Sequence, residues 1–258
     1  LRPTKLGRVI SRLYLKPTSA KPIIDTIHLW LKKNRTAWDK KAELELLYAI
    51  VASPENRPVI RKVLGKLDDV MDYIEEKEDV LRYLSDKLPL LYTQHIRGLR
   101  ELLSADEEEN IAIIGGVGML CDWIDGTPIA KILDRFLPSF GPGDLNELTR
   151  VSDWLLYCAS EIASVLGLPP PIVYRIRRLA RRVRYGVPDD LLDIVEAVEG
   201  IGRSRALALK RAGFDTFEKI ARASLQALMR VESIGEILAR RLKEVAIRKV
   251  KLLSETRA

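Results

Sequence analysis

The chain has 258 residues, 47% of them hydrophobic and 31% charged, with a formal net charge of +7. That is enough apolar side chain for a sizeable buried core, and enough length for one large domain with a smaller one beside it. No apolar run approaches the roughly 18 to 20 residues that cross a bilayer, and the N-terminus lacks a charged, apolar and small-residue cleavage pattern, so a soluble cytoplasmic protein is expected. Cys121 and Cys158 each sit inside an apolar helical pattern without CxxC or Cys/His spacing, which argues against structural zinc and against a disulfide.

The chain opens on Leu1 rather than Met, and Thr4 to Arg8 reads as the interior of a domain, as in a fragment. From Gly7 to Leu15, Val9, Leu13 and Leu15 fall near a period of two, broken by Ile10, which predicts a single strand or the remnant of a hairpin. Lys16 to Ala20 offers turn and capping chemistry, so the first long helix is expected to start near Ser19. Three- and four-residue apolar steps then predict helices over Trp38–Ser53, Asn56–Leu64, Asp68–Leu84 and Thr127–Leu137. The fold class is therefore mainly α.

An acidic stretch, Ser104 to Asn110, precedes an apolar run ending in Gly115-Gly116-Val117-Gly118. A glycine cluster in that place invites a phosphate-loop reading, but no Lys-Ser or Lys-Thr follows, so a helix start or close helix packing is expected instead. Leu137 to Asp144 ends one helix and caps another at or near Asp144. That helix, Leu145 to Leu166, is long and amphipathic and stops at Gly167 and Pro169-Pro170-Pro171.

Charge is spread unevenly. Residues 171–258 carry 20 Lys and Arg against 11 Asp and Glu, while residues 1–170 carry 23 against 25. A cationic region on a near-neutral body is the electrostatic footprint of a polyphosphate partner. An acidic membrane surface is the competing partner, but no basic amphipathic helix stands free of a core role. Pro171 to Tyr185 is the most basic segment, with Arg175, Arg177, Arg178, Arg181, Arg182 and Arg184 and no acid among them. Ile172, Ile176, Leu179 and Val183 supply its docking stripe, and mutual repulsion among the arginines favours a phosphate-facing role for Arg175, Arg178 and Arg182 over a plain solvated surface.

Gly186-Val187-Pro188 reads as a hinge into a last domain built on an internal repeat at an offset of 33 residues. Val198-Glu199-Gly200-Ile201-Gly202 matches Val231-Glu232-Ser233-Ile234-Gly235, and Ala206, Leu209 and Lys210 match Ala239, Leu242 and Lys243. Each copy is a helix, a tight glycine turn and a second helix, resembling the helix-hairpin-helix motif. Gly200 and Gly202 free the backbone to turn, the next helix presents open N–H groups and its positive dipole end, and Arg203 and Arg205 add mobile charge. A phosphate oxygen suits such a turn, though the same glycines would also simply join two helices of a bundle. In the second copy Ser233 replaces a glycine and Glu236 puts an acid where an anion would lie, so that copy reads as mainly structural. Nothing here reads base edges, and binding without strong sequence preference is expected.

Taken together, these segments resemble the C-terminal region of archaeal Ski2-like superfamily 2 DNA helicases, the Holliday-junction-migration type related to the helicase half of polymerase theta. The resemblance runs through Thr4 to Tyr14, Cys121 to Asp125, Gly143-Asp144-Leu145, Val151 to Leu155, Arg184 to Val187 and Gly200 to Ala206. It implies the end of a winged-helix domain at 1–16, a Sec63-like helical ratchet domain at 17–185 and a tandem helix-hairpin-helix domain at 186–258. It further implies that Leu145–Leu166 lies along translocating single-stranded DNA with Trp154 stacking on a base, where a core role for that ring is the alternative. Asn146 and Glu147 stand where the family tends to be basic, so Arg150 is the replacement cation, and Arg248, Lys249 and Lys251 would hold the emerging strand.

The family's motor needs a Walker-type loop and an Asp-Glu-x-His motif, and this chain has neither. ATP and Mg are therefore expected in RecA-like motor domains preceding Leu1, with no cofactor in this chain and single-stranded or forked DNA as the partner. A stand-alone, non-enzymatic helix-hairpin-helix protein is the alternative. An RNA helicase accessory domain of the Ski2 branch is a third reading, but it leaves the paired hairpins unexplained. His28 and His95, the only histidines, are far apart in sequence and read as structural or exposed rather than catalytic.

Overall fold

The computed structural model describes residues 2–77 and 107–256. His95 and the second half of the helix expected over 68–84 lie outside the described residues, as does the start of the acidic stretch at 104–106. The chain divides into two units, one taking in residues up to Trp123 and Thr127–Arg184, the other Ile124–Gly126 and Tyr185 onward.

The described residues contain helices and no strand. In the first unit these are α1 (Lys5–Arg12), α2 (Pro17–Lys32), α3 (Lys40–Val51), a short α4 (Arg57–Ile60), α5 (Leu67–Glu76), α6 (Glu107–Asp125, whose last two residues belong to the second unit), a short α7 (Ile129–Leu133), α8 (Pro142–Leu166) and α9 (Pro170–Tyr185, whose last residue belongs to the second unit). None of them is long and apolar enough to cross a membrane.

The strand expected over Gly7–Leu15 is instead helix α1 and its C-terminal turn. Leu6, Val9, Ile10 and Leu13 recur at three- and four-residue steps, and Thr4 caps the start by accepting the Gly7 N–H at 3.0 Å. Counting from Gly7 hides that period by leaving out Leu6. The helix ends in a Schellman turn: the Tyr14 N–H donates to Ser11 O at 3.1 Å and the Leu15 N–H to Ile10 O at 3.2 Å. Tyr14 takes the left-handed position at φ 54°, which glycine normally fills and which costs an L-residue roughly 1–2 kcal/mol.

Helix α8 is the axis of this unit, packed by α1, α2, α3 and α4. Its start lies earlier than expected. Asp144 is not the cap itself; its carboxylate accepts the Gly141 N–H at 3.0 Å from inside the first turn, and Lys62 Nζ reaches the same carboxylate at 2.6 Å. Lys62, then the Gly141 N–H, hold the Asp144 carboxyl below its usual range. Leu148, Leu155, Leu156, Ile162 and Ala163 bury the inward face of α8. Cys158 lies among them, and burial pushes its thiol up to about 12.

Several buried polar groups of this unit are paired across helices. Trp30 Nε1 donates to Glu45 at 2.5 Å, with the Arg35 guanidinium stacked over the Trp30 ring at 5.6 Å. Asp122 accepts from Tyr73 Oη at 2.5 Å, Lys77 Nζ at 2.6 Å and Thr127 Oγ1 at 3.1 Å. Gly115 and Gly116 lie in the middle of α6, where a β-carbon at Gly116 would stand 2.5 Å from Ile60 Cδ1 and 2.9 Å from Val51 Cγ1. The glycine cluster is therefore a close helix contact, not a phosphate loop.

The second unit holds α10 (Asp189–Ala197), α11 (Arg203–Arg211), α12 (Phe217–Arg222), α13 (Leu225–Met229) and α14 (Glu236–Thr256). Its core is formed by the matched positions of the repeat, Val198 with Val231, Ile201 with Ile234, and Leu209 with Leu242, closed by Leu191, Ile220 and Leu228.

Candidate nucleic-acid interface

The two hairpins of the second unit have the same backbone. The Ile201 N–H donates to Val198 O and the Ile234 N–H to Val231 O, both at 3.1 Å; Ala206 reaches back to Gly202 O at 3.0 Å and Ala239 to Gly235 O at 2.9 Å. Gly200 has φ 90° and its counterpart Ser233 has φ 62°, so both turns need the left-handed region. Gly202 precedes α11 and brings no capping side chain, and Gly200 and Gly202 are exposed. First-turn amides have no acceptor within their own helix, so the turn points donors outward. Because Ser233 carries a Cβ in that region, Ser233→Gly is expected to raise the stability of this unit by up to about 1 kcal/mol, read as a higher urea midpoint at unchanged slope.

Arg205 does more than add charge. Its Nε donates to Ser233 O at 2.9 Å and its terminal nitrogen to Gly200 O at 2.7 Å, tying the two turns together. Arg241 does the reciprocal work from α14, donating to Glu199 O at 3.1 Å. Arg203 is half-buried, and burial lowers its pKa. In the second hairpin Glu236 is engaged by Arg240 one turn on. Arg248, Lys249 and Lys251 are exposed on α14, with Glu255 at 4.0 Å from Lys251.

In the first unit, the outer stripe of α8 runs through Glu147, Arg150, Trp154, Tyr157 and Glu161. Arg150 is exposed but doubly bonded to Glu147, at 2.9 and 2.6 Å, so its charge is offset locally. Trp154 is half-buried, and Tyr157, one turn on and 48% exposed, extends the aromatic stripe. Sequence reading missed Tyr157, although its i+3 spacing from Trp154 was the available signal.

Helix α9 answers the question of its missing carboxylates. Arg177 bonds Glu161 at 2.9 Å and Arg184 bonds Asp153 at 2.9 Å, so α9 lies antiparallel along α8. Arg182 bonds Glu43 of α3 at 2.8 Å with both side chains largely buried. Arg178 is only 8% exposed and stacks 5.9 Å from the Tyr174 ring. The expectation of a phosphate-facing Arg178 and Arg182 therefore gives way to internal roles: their countercharges and aromatic partners come from the fold. Arg175 is exposed. His28 is an exposed residue of α2.

The model of the archaeal helicase domain 4 family matches residues 44–186, more than half of the chain. The chain belongs to that family. The model described as a SAM-like helix-hairpin-helix tandem matches residues 189–248, over both hairpins. Among curated proteins, an ATP-dependent DNA helicase Hel308 of Caldivirga maquilingensis is 30% identical over 255 residues, 97% of this chain and 31% of that protein. Those of Thermococcus kodakarensis and Pyrococcus abyssi are both 28% identical, over 89% and 100% of this chain and 18% and 32% of their own lengths. This domain 4 chain thus spans about a third or less of the length of the relatives it matches.

Proposed function

We propose that the chain is a DNA-binding, non-motor part of an ATP-dependent superfamily 2 helicase, which guides single-stranded DNA while forks or junctions are unwound. The observation that carries the reading is the pair of matched hairpin turns, of which the first, with Gly200, Gly202 and no acid in the first turn of its second helix, presents a helix N-terminus suited to a backbone phosphate. The outer stripe of α8, with Arg150 and the Trp154 and Tyr157 rings, supplies base-stacking surface in a helicase-family domain. Motor domains ahead of Leu1 would supply ATP and Mg chemistry. The relatives named as ATP-dependent DNA helicases, of which the matched part is 31%, 18% and 32%, support that arrangement. Winged-helix, ratchet and hairpin segments at 1–16, 17–185 and 186–258 are part of the same proposal.

A stand-alone backbone clamp is the second reading, favoured by the hairpin pair alone. Titration of the chain with matched single-stranded, forked and blunt duplex DNA over a salt series separates the two. The helicase reading expects tighter binding to single-stranded or forked DNA. It also expects a log–log salt slope that falls by about 1 in Arg205→Ala. Equal duplex binding would favour the clamp, and salt-independent or absent binding would overturn both.

A further inference from the structure

The turn between α3 and α4, Ser53-Pro54-Glu55-Asn56, lies inside the helical unit, with Ser53 and Asn56 fully buried and Glu55 partly so. Its backbone closes on itself. The Ser53 N–H donates to Ile50 O at 3.2 Å, the Asn56 N–H to Ser53 O at 3.1 Å, and the Val59 and Ile60 N–H groups to Asn56 O, both at 3.0 Å. Side chains then fasten the turn to two neighbouring helices. Ser19 Oγ of α2 donates to Glu55 Oε1 at 2.6 Å, while Asn56 Nδ2 donates to Ile50 O at 3.0 Å and to Ser152 Oγ of α8 at 3.3 Å. Glu55 also stands near Cys158 of α8: behind burial, its charge helps to raise that thiol.

Three oxygens of this turn are left over. Ser53 Oγ, Glu55 Oε2 and Asn56 Oδ1 are each shut away from solvent, and none has a hydrogen-bond partner among the described residues. Both N–H donors of the Asn56 amide are spent, so its Oδ1 remains as an acceptor. Among the described residues no Lys, Arg or His pairs with Glu55. An enclosed acid with neither a countercharge nor its full set of hydrogen bonds is strongly unfavourable. A water would satisfy the three oxygens but leave the charge unanswered, whereas a cation answers both. One carboxylate balances one positive charge, and hydroxyl, amide and carboxylate oxygens are hard ligands, which selects an alkali ion over a divalent or soft metal.

We propose that Ser53 Oγ, Glu55 Oε2 and Asn56 Oδ1 bind a monovalent alkali cation that fastens the α3–α4 turn between α2 and α8. Ser152, which holds Asn56, directly precedes Asp153 and Trp154, so the ion steadies the segment of α8 that carries the ion pair with Arg184 and the aromatic stripe. The inference stands apart from the DNA-binding reading, since all of its ligands are internal to the helical unit.

Trp30, Trp38, Trp123 and Trp154, the only tryptophans of the chain, all belong to the first unit, so tryptophan fluorescence follows the melting of that unit. The test is its midpoint for the full chain in NaCl, KCl and choline chloride at equal concentration, alongside Glu55→Gln and Ser53→Ala. For a dissociation constant on the order of 10 mM, one of the alkali salts at about 0.2 M should raise the parent's midpoint by about 4–7 °C over choline. Glu55→Gln, whose amide can donate to Asn56 Oδ1 in place of the ion, should melt alike in all three salts. Ser53→Ala, which removes one ligand and keeps the charge, should show a smaller rise. A parent that melts alike in the three salts holds a water or a proton there instead, which overturns the proposal. A rise that persists undiminished in either variant overturns it too, because the cation then acts elsewhere on the protein.

Discussion

Replacing Trp154 with alanine is expected to weaken binding to single-stranded and forked DNA by about 1–3 kcal/mol, or roughly 5- to 150-fold, with blunt duplex affinity unchanged. The inward side of α8 near this residue is made by Val151, Leu155 and Cys158, all buried, and Trp154 falls on the flank, partly exposed beside the more exposed Tyr157. Truncation therefore removes stacking surface while leaving the main packing of the axis in place. Trp154→Phe should keep most of the affinity, since a smaller ring still presents a π face. An equal loss on duplex, or a loss that follows a fall in melting temperature, would assign the ring to the core instead.

Arg182→Ala should act the other way, on stability and not on DNA. The guanidinium meets Glu43 at 2.8 Å inside the helical unit, and Glu43 retains only Lys40, also at 2.8 Å, when it is removed. Breaking a buried pair from one side leaves the other charge held by Lys40 alone, with an expected cost of up to about 3 kcal/mol and a melting point lower by up to roughly 6–12 °C. The salt slope of DNA binding should not move at temperatures where the variant is folded. Arg182→Met combined with Glu43→Leu should recover much of the loss, because neither charge is then left buried alone. A changed salt slope with unchanged melting would return Arg182 to the DNA surface.

The hairpin repeat was legible because its information is local and periodic. Matched apolar positions 33 residues apart became matched core positions, and the glycine-to-serine change at 233 became a left-handed serine. The axis helix was legible from its apolar spacing, with its start displaced by Gly141 and Pro142. Helix α9 was not, because the acids that answer its arginines lie 16, 31 and 139 residues away in sequence, and composition within a segment says nothing about them. The helix at 5–12 was misread for a narrower reason: a window that opens at Gly7 omits Leu6, which completes the three-and-four spacing.

The two ion pairs between α8 and α9 have a consequence for how this region tolerates change. Asp153 and Glu161 are eight residues apart, roughly 12 Å of helix, and each is held by a different arginine of the neighbouring helix. One residue inserted between Trp154 and Tyr157 would turn the far part of α8 by about 100° and advance it about 1.5 Å, breaking one pin and turning Tyr157 away from Trp154. A substitution along this stretch disturbs one contact at a time, whereas a change of length shifts the phase of every contact beyond it.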